Sequence, residues 1–148
     1  MEFELHRVLV STDFSEVGDQ AVPAAFRIAA DHGASVLLVH VIEGAELPNP
    51  LYAHYHPLPT PEQQKQADDA ARVALGARVP AVYRERVPHE LVVERGAAAE
   101  QIVHRATESG ADLLVISSRG RGGVARLVLG SVANRVVARA PCPVLVMR

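Results

Sequence analysis

A chain of 148 residues is enough for one compact domain, able to bury most of its apolar surface without disulfide or metal staples. A formal charge of −2 gives no global pull toward nucleic acid or a membrane surface, and no apolar run approaches the roughly 20 residues of a membrane span. Cys142 is the one cysteine, which excludes an internal disulfide and points to a reducing cytoplasm; the opening MEFELHRVLV also lacks the layout of a signal peptide.

The first apolar run, RVLVST (7–12), is rich in Val and Leu and hardly alternates, as expected of a strand buried on both faces. A helical pattern over 15–31 follows and stops at Gly33, a residue suited to a left-handed helix end. Pro23 lies within that pattern, so either the helix starts late with Asp19 as its cap or it kinks. SVLLVHV (35–41) is the second strand. EGAELPNPLYAHYHPLPTP (43–61) holds five prolines and reads as a long loop at the carboxyl edge of the sheet. TPEQ then opens a helix in which Thr60 caps, Pro61 fits the first turn and Gln63 completes a capping box. ELVVERG (90–96) is the third strand. A helix over 97–109 places Ala99, Ile102, Val103 and Ala106 on one face and stops at Gly110. DLLVISS (112–118) is the fourth strand. After a glycine-rich stretch, a helix begins near Ser131, turns Val132, Val136 and Val137 inward, and ends at APCP. PVLVMR (143–148) is the fifth strand.

Strand and helix alternate, so the expected class is α/β: a doubly wound, mostly parallel sheet with helices on both faces. Neither an internal repeat nor a composition break divides the chain, and residues 1–148 read as a single domain.

The stretch SSRGRGGVARLVLGSV (117–132) carries the chemistry. It contains no acid, and none occurs anywhere in 113–148, where Arg119, Arg121, Arg126, Arg135, Arg139 and Arg148 all fall. Local positive potential on a near-neutral protein suits a small anion better than a long polyanion. If strands one and four are neighbours, STDF (11–14) faces SSRG (117–120) across the switch point where such folds bind ligands. Gly120, Gly122 and Gly123 allow close backbone approach, and the helix after Gly130 offers amides without partners. Ser131 either caps that helix or offers its hydroxyl to a phosphate oxygen. A helix start favours an anion by about 0.3–1 kcal/mol, and by about 2 kcal/mol when partly buried. Asp13 would repel phosphate and suits ribose hydroxyls instead. The competing reading is that the glycines only build a tight turn. No G-x-x-x-x-G-K-S/T motif occurs, since the sole lysine is Lys65, and the turn after strand one lacks G-x-G-x-x-G.

The spacing resembles the ATP-binding branch of the universal stress protein family, whose pattern after strand four is G-x2-G-x9-G-[S/T]. Here Gly120 is followed by nine residues and then Gly130 and Ser131; VLVSTDFSE, LLVHVIE and CPVLVMR resemble the family at three further places. The resemblance implies strand order 3-2-1-4-5 in a Rossmann-like sheet. It implies adenine near Thr12 and Val41, ribose near Asp13, and phosphates against residues 117–120 and 130–132. The nucleotide-binding set it implies is Ser11, Thr12, Asp13, Val41, Ile116, Ser117, Arg119, Gly120, Arg121, Gly130, Ser131 and Val132. The ligand is ATP, or ADP or AMP, with or without magnesium. The family's first glycine is Ser117 here; its Cβ can crowd a phosphate, or its hydroxyl can add a contact.

Three other groups carry less. His54 and His56, with His40, lack the cysteine or acid pair of a metal site. Cys142, between two prolines, reads as a small buried hydrophobe. No histidine is placed to activate Ser131, so no catalytic set is legible. The uncharged PVLVM strand would be unprotected at a sheet edge, which predicts a homodimer through residues 143–147. The leading expectation is therefore a cytoplasmic, dimeric, adenine-nucleotide-binding sensor or regulator of the stress response. Its alternatives are a protein-interaction module of the same fold without nucleotide, and a slow ATPase or phosphotransferase.

Overall fold

The computed structural model describes residues 2–43, 58–119 and 129–148. In chain order these form β1 (Arg7–Ser11), α1 (Glu16–Asp19), α2 (Ala21–His32), β2 (Ser35–Ile42), α3 (Pro61–Arg78) and a 3₁₀ turn (Ala81–Tyr83). Then follow β3 (His89–Arg95), α4 (Ala98–Ser109), β4 (Leu113–Ser117), α5 (Ser131–Arg139) and β5 (Val144–Met147). The strands make one parallel sheet in the order β3-β2-β1-β4-β5. Strand order therefore reverses between β1 and β4, where Val8, Leu9 and Val10 pair with Leu113, Leu114 and Val115.

The lack of alternation in the central strands has a direct cause. Val8 and Val10 of β1 pack with Val36 and Leu38 under Phe26 of α2 and Leu75 of α3. Leu9, Leu37, Leu114 and Ile116 face the other way, under Ile102 of α4 and Val136 of α5. Both faces of the sheet are dry, so every position of a central strand gains from an apolar side chain. Each fully buried Leu, Val or Phe adds about 1.5–3 kcal/mol over its exposed state. The pattern weakens at the edges: Val92 is the one buried residue of β3, and β5 has none.

Most helix ends follow their local signals. Thr60 accepts from the Gln63 amide while the Gln63 side chain accepts from the Thr60 amide, completing the capping box. Gly33 and Gly110 end α2 and α4 in the left-handed region. Two expectations need correction. The pattern over 15–31 is neither one late helix capped by Asp19 nor a kinked one. It divides into α1, capped by Ser15, and α2, which starts after Gln20 with Pro23 in its first turn, where a missing N–H costs little. In α5, Ala133 and Val136 are the buried residues and Val137 is 45% exposed, because the helix meets the sheet along a narrower stripe than its three valines suggest. Among the described residues no helix is long and apolar enough to cross a membrane.

Candidate functional site

The turn after β1 is built almost wholly from its own polar groups. The Thr12 amide extends the pairing by donating to the Val39 carbonyl at 3.0 Å. The buried Thr12 hydroxyl donates to Asp19 Oδ1 at 2.7 Å and accepts from the Phe14 amide at 3.0 Å. Asp13 Oδ1 accepts from both the amide and the hydroxyl of Ser15, at 3.0 and 2.5 Å. Ser15 in turn caps α1 by accepting from the Gly18 amide at 2.9 Å. A Cβ on Gly18 would collide with Asp13 Oδ1, so glycine lets the helix approach the carboxylate where it now stands.

Phe14 sits at φ 67, an unusual conformation for a bulky residue. Its ring stacks on His40 with centroids 3.9 Å apart, and the Arg78 guanidinium lies 4.5 Å from its centre. His40 Nδ1 is 2.8 Å from the Thr12 carbonyl, which can only accept, so that nitrogen carries the hydrogen. Arg78 Nε bonds Asp19 Oδ1 at 3.1 Å. Sequence reasoning placed Phe14 in this turn but not its ring contacts, and missed Gly18, Asp19, His40 and Arg78 as parts of it. Arg78 comes from α3, far along the chain, and no spacing rule links it to Asp19.

On the neighbouring strand, Ser117 is buried and its hydroxyl donates to the Arg119 carbonyl at 2.8 Å. The Ser118 amide donates to the Met147 carbonyl, and the Gly130 amide to the Ser118 carbonyl, each at 2.6 Å. The start of α5 is thereby tied to the end of β4. Extending the β1–β4 register past Val10 and Val115 puts Thr12 and Ser117 level with each other at the carboxyl edge.

Helix α5 has Gly130 as its N-cap, with no side-chain cap, and Ser131 as its first helical residue. Ser131 therefore does not cap the helix, and its side chain is exposed. The first intrahelical bond runs from the Asn134 amide to the Gly130 carbonyl, so the amides of Ser131, Val132 and Ala133 lie ahead of it. The Gly130 amide is already engaged and is not a ligand donor here.

Of the remaining predicted residues, Ser11, Ile116 and Val41 sit at the carboxyl ends of β1, β4 and β2. Ile116 belongs to the core cluster beneath α4 and α5, and Val41 and Val132 pack at the margin of that cluster. Gly120 and Arg121 lie outside the described residues, as do Gly122, Gly123, Arg126, His54, His56 and most of 43–61. Among the described residues no group of three or more His, Cys, Asp or Glu side chains could hold a metal ion. Cys142 is half-buried; burial first, and then the negative charge of Asp112, push its thiol pKa up, away from the reactive thiolate.

A profile described as the universal stress protein family matches residues 4–148. The universal stress protein in QAH/OAS sulfhydrylase 3'region of Thermus aquaticus is 36% identical over 142 residues, covering 95% of this chain and 97% of that protein. Universal stress protein UspA from Lactobacillus plantarum superposes with a TM-score of 0.76 over 99% of this chain and 100% of that one; at 23% identity it shows the fold alone. A universal stress protein solved in complex with cAMP is 28% identical, with a TM-score of 0.63 and 98% of each chain covered.

Proposed function

The chain belongs to the universal stress protein family, and from that premise we propose that it binds an adenine nucleotide between the ends of β1 and β4 and regulates a stress response. The observation that carries the reading is the meeting of two unlike half-sites at the strand-order reversal. One is an acid-bearing turn at Thr12 and Asp13; the other is a helix start without a side-chain cap beside an acid-free, arginine-bearing segment. The relative solved with cAMP supports the ligand class. In this reading Ser11, Thr12 and Val41 flank the adenine, Asp13 faces the ribose, and Ile116 closes the floor. Ser117, Arg119, Gly120, Arg121, Ser131 and Val132 surround the phosphates, with Gly130 holding the loop in place. The ligand is ATP, ADP or AMP, with magnesium if the phosphates carry it.

A homodimer in the cytoplasm belongs to the same proposal. Strand β5 is a sheet edge, and Leu145 on it is 37% exposed. A bare apolar edge invites pairing with a second copy. Leu145→Lys should convert the dimer to monomer in light scattering, without loss of nucleotide.

The direct test of the ligand is to denature gently purified protein and identify released small molecules by mass spectrometry. Adenine nucleotide is expected. Ligand-free protein should gain thermal stability with ATP and magnesium, by about 2.7 kcal/mol at a hundred times Kd. No release and no shift at millimolar ATP would refute the reading. One observation favours a second reading, a nucleotide-free interaction module: the Ser117 hydroxyl bonds inside its own loop, where the family pattern has glycine. That reading gains if Ser117→Gly creates ATP binding in a protein that otherwise shows none.

A further inference from the structure

We propose that Arg78 is a positioning residue for the nucleotide site, acting from the last turn of α3 on the turn after β1; the proposal rests on the nucleotide reading above. Arg78 contacts Asp19 and Phe14, neither of which is assigned to the ligand. Asp19 Oδ1 takes the Arg78 Nε–H at 3.1 Å and the Thr12 hydroxyl at 2.7 Å. Phe14, 4.5 Å beneath the guanidinium, stacks on His40, whose Nδ1–H returns to the Thr12 carbonyl at 2.8 Å. Arg78, Asp19, Thr12, His40 and Phe14 thus close a ring of contacts in which every member touches at least two others.

The ring has a mechanical role. Phe14 at φ 67 holds a costly backbone conformation, which persists only where surrounding contacts over-determine it. Thr12 and Asp13 precede it directly, so any relaxation at Phe14 moves both. The Arg78 and Asp19 side chains are 28% and 31% exposed, so their attraction is less screened than at an open surface. Arg78 Nη1 also donates to the Ala74 carbonyl at 3.0 Å, anchoring the side chain on its own helix. A planar guanidinium can offer an edge to a carboxylate and a face to an aromatic ring; an ammonium cannot do both. Without Arg78 the turn gains freedom, and nucleotide binding has to supply the ordering that the ring now supplies in advance.

The test is titration calorimetry with ATP and magnesium on ligand-free wild type, Arg78→Met, Arg78→Lys and Arg72→Met. Amide exchange is followed at Phe14 and Gly18. Arg72 is the control, because it joins the same helix to the sheet by donating to the Leu91 carbonyl at 2.8 Å without touching the ring. Arg78→Met should raise Kd about tenfold and speed exchange at Phe14. Arg78→Lys should recover only part of the affinity, and Arg72→Met should leave Kd within twofold. Equal Kd for Arg78→Met and wild type overturns the proposal, as does an equal loss in Arg72→Met, which would mark the effect as loosened docking of α3. Wild type that binds no ATP overturns the nucleotide reading itself and, with it, any role of Arg78 in affinity.

Discussion

Two segments leave adjacent strands at the carboxyl edge of the sheet, and they treat their polar groups in opposite ways. The turn after β1 bonds inward: the Thr12 hydroxyl both donates and accepts, Ser15 caps α1, and Asp13 is held by Ser15. The start of α5 has a glycine cap without a side chain, and its leading amides precede the first helical bond. The start of α3 is closed by Thr60 and Gln63 in a reciprocal box, whereas α2 and α4, like α5, begin without a side-chain cap. The contrast implies a division of labour in the nucleotide reading. In that reading the β1 turn would orient the ligand, and the α5 start would attract its phosphates.

The sharpest way to break the comparison is to close the α5 start. Gly130 has φ −59 and ψ 160, a conformation open to any residue, so Gly130→Asp supplies both a cap and a negative charge. It should stabilise the free protein by a few tenths of a kcal/mol while weakening ATP binding by about 2 kcal/mol, in chemical denaturation and calorimetry respectively. Unchanged affinity would mean that phosphates do not sit there. Next in size, Gly18→Ala strikes the β1 turn. Its methyl would collide with Asp13 Oδ1, so a loss of about 1–3 kcal/mol in stability is expected, despite the better helix propensity of alanine. ATP affinity should fall with it, because Asp13 has to move.

Thr60→Ala sharpens the contrast from the other side. Loss of that cap should cost about 1 kcal/mol of stability and leave ATP affinity untouched, since the α3 start is closed to ligand. Smaller again is Ser117→Gly. It removes the bond to the Arg119 carbonyl, at a net cost of about 0.5–1.5 kcal/mol, and should raise ATP affinity a few-fold by clearing the Cβ. Last, Cys142 should react with iodoacetamide more slowly than a free thiol at pH 8. Its raised pKa keeps it protonated, and the rate should rise only as pH climbs further.

The fold was legible because both faces of a parallel sheet must be dry, which leaves Val- and Leu-rich runs such as RVLV and LLVI without alternation. Helix ends that depend on neighbours in sequence, such as Thr60 with Gln63 and the stops at Gly33 and Gly110, were legible for the same local reason. Two placements that the candidate site depends on were legible. Thr12 and Ser117 do fall level across the strand-order reversal, and Gly130 does precede an uncapped helix. The part that was not legible is the bonding. The Gly130 amide belongs to Ser118, the Ser117 hydroxyl to Arg119, and Ser131 caps nothing.

The sequence by itself determined the order of elements and the parallel sheet. These follow from periodicity and capping, whose range is a few residues. Only the tertiary structure decided that Arg78 and His40 converge on the turn at Thr12, and that Gly18 lets the helix approach Asp13 where it now stands. Such contacts join residues far apart in the chain, and their partners are fixed by packing of whole elements, which no local pattern encodes.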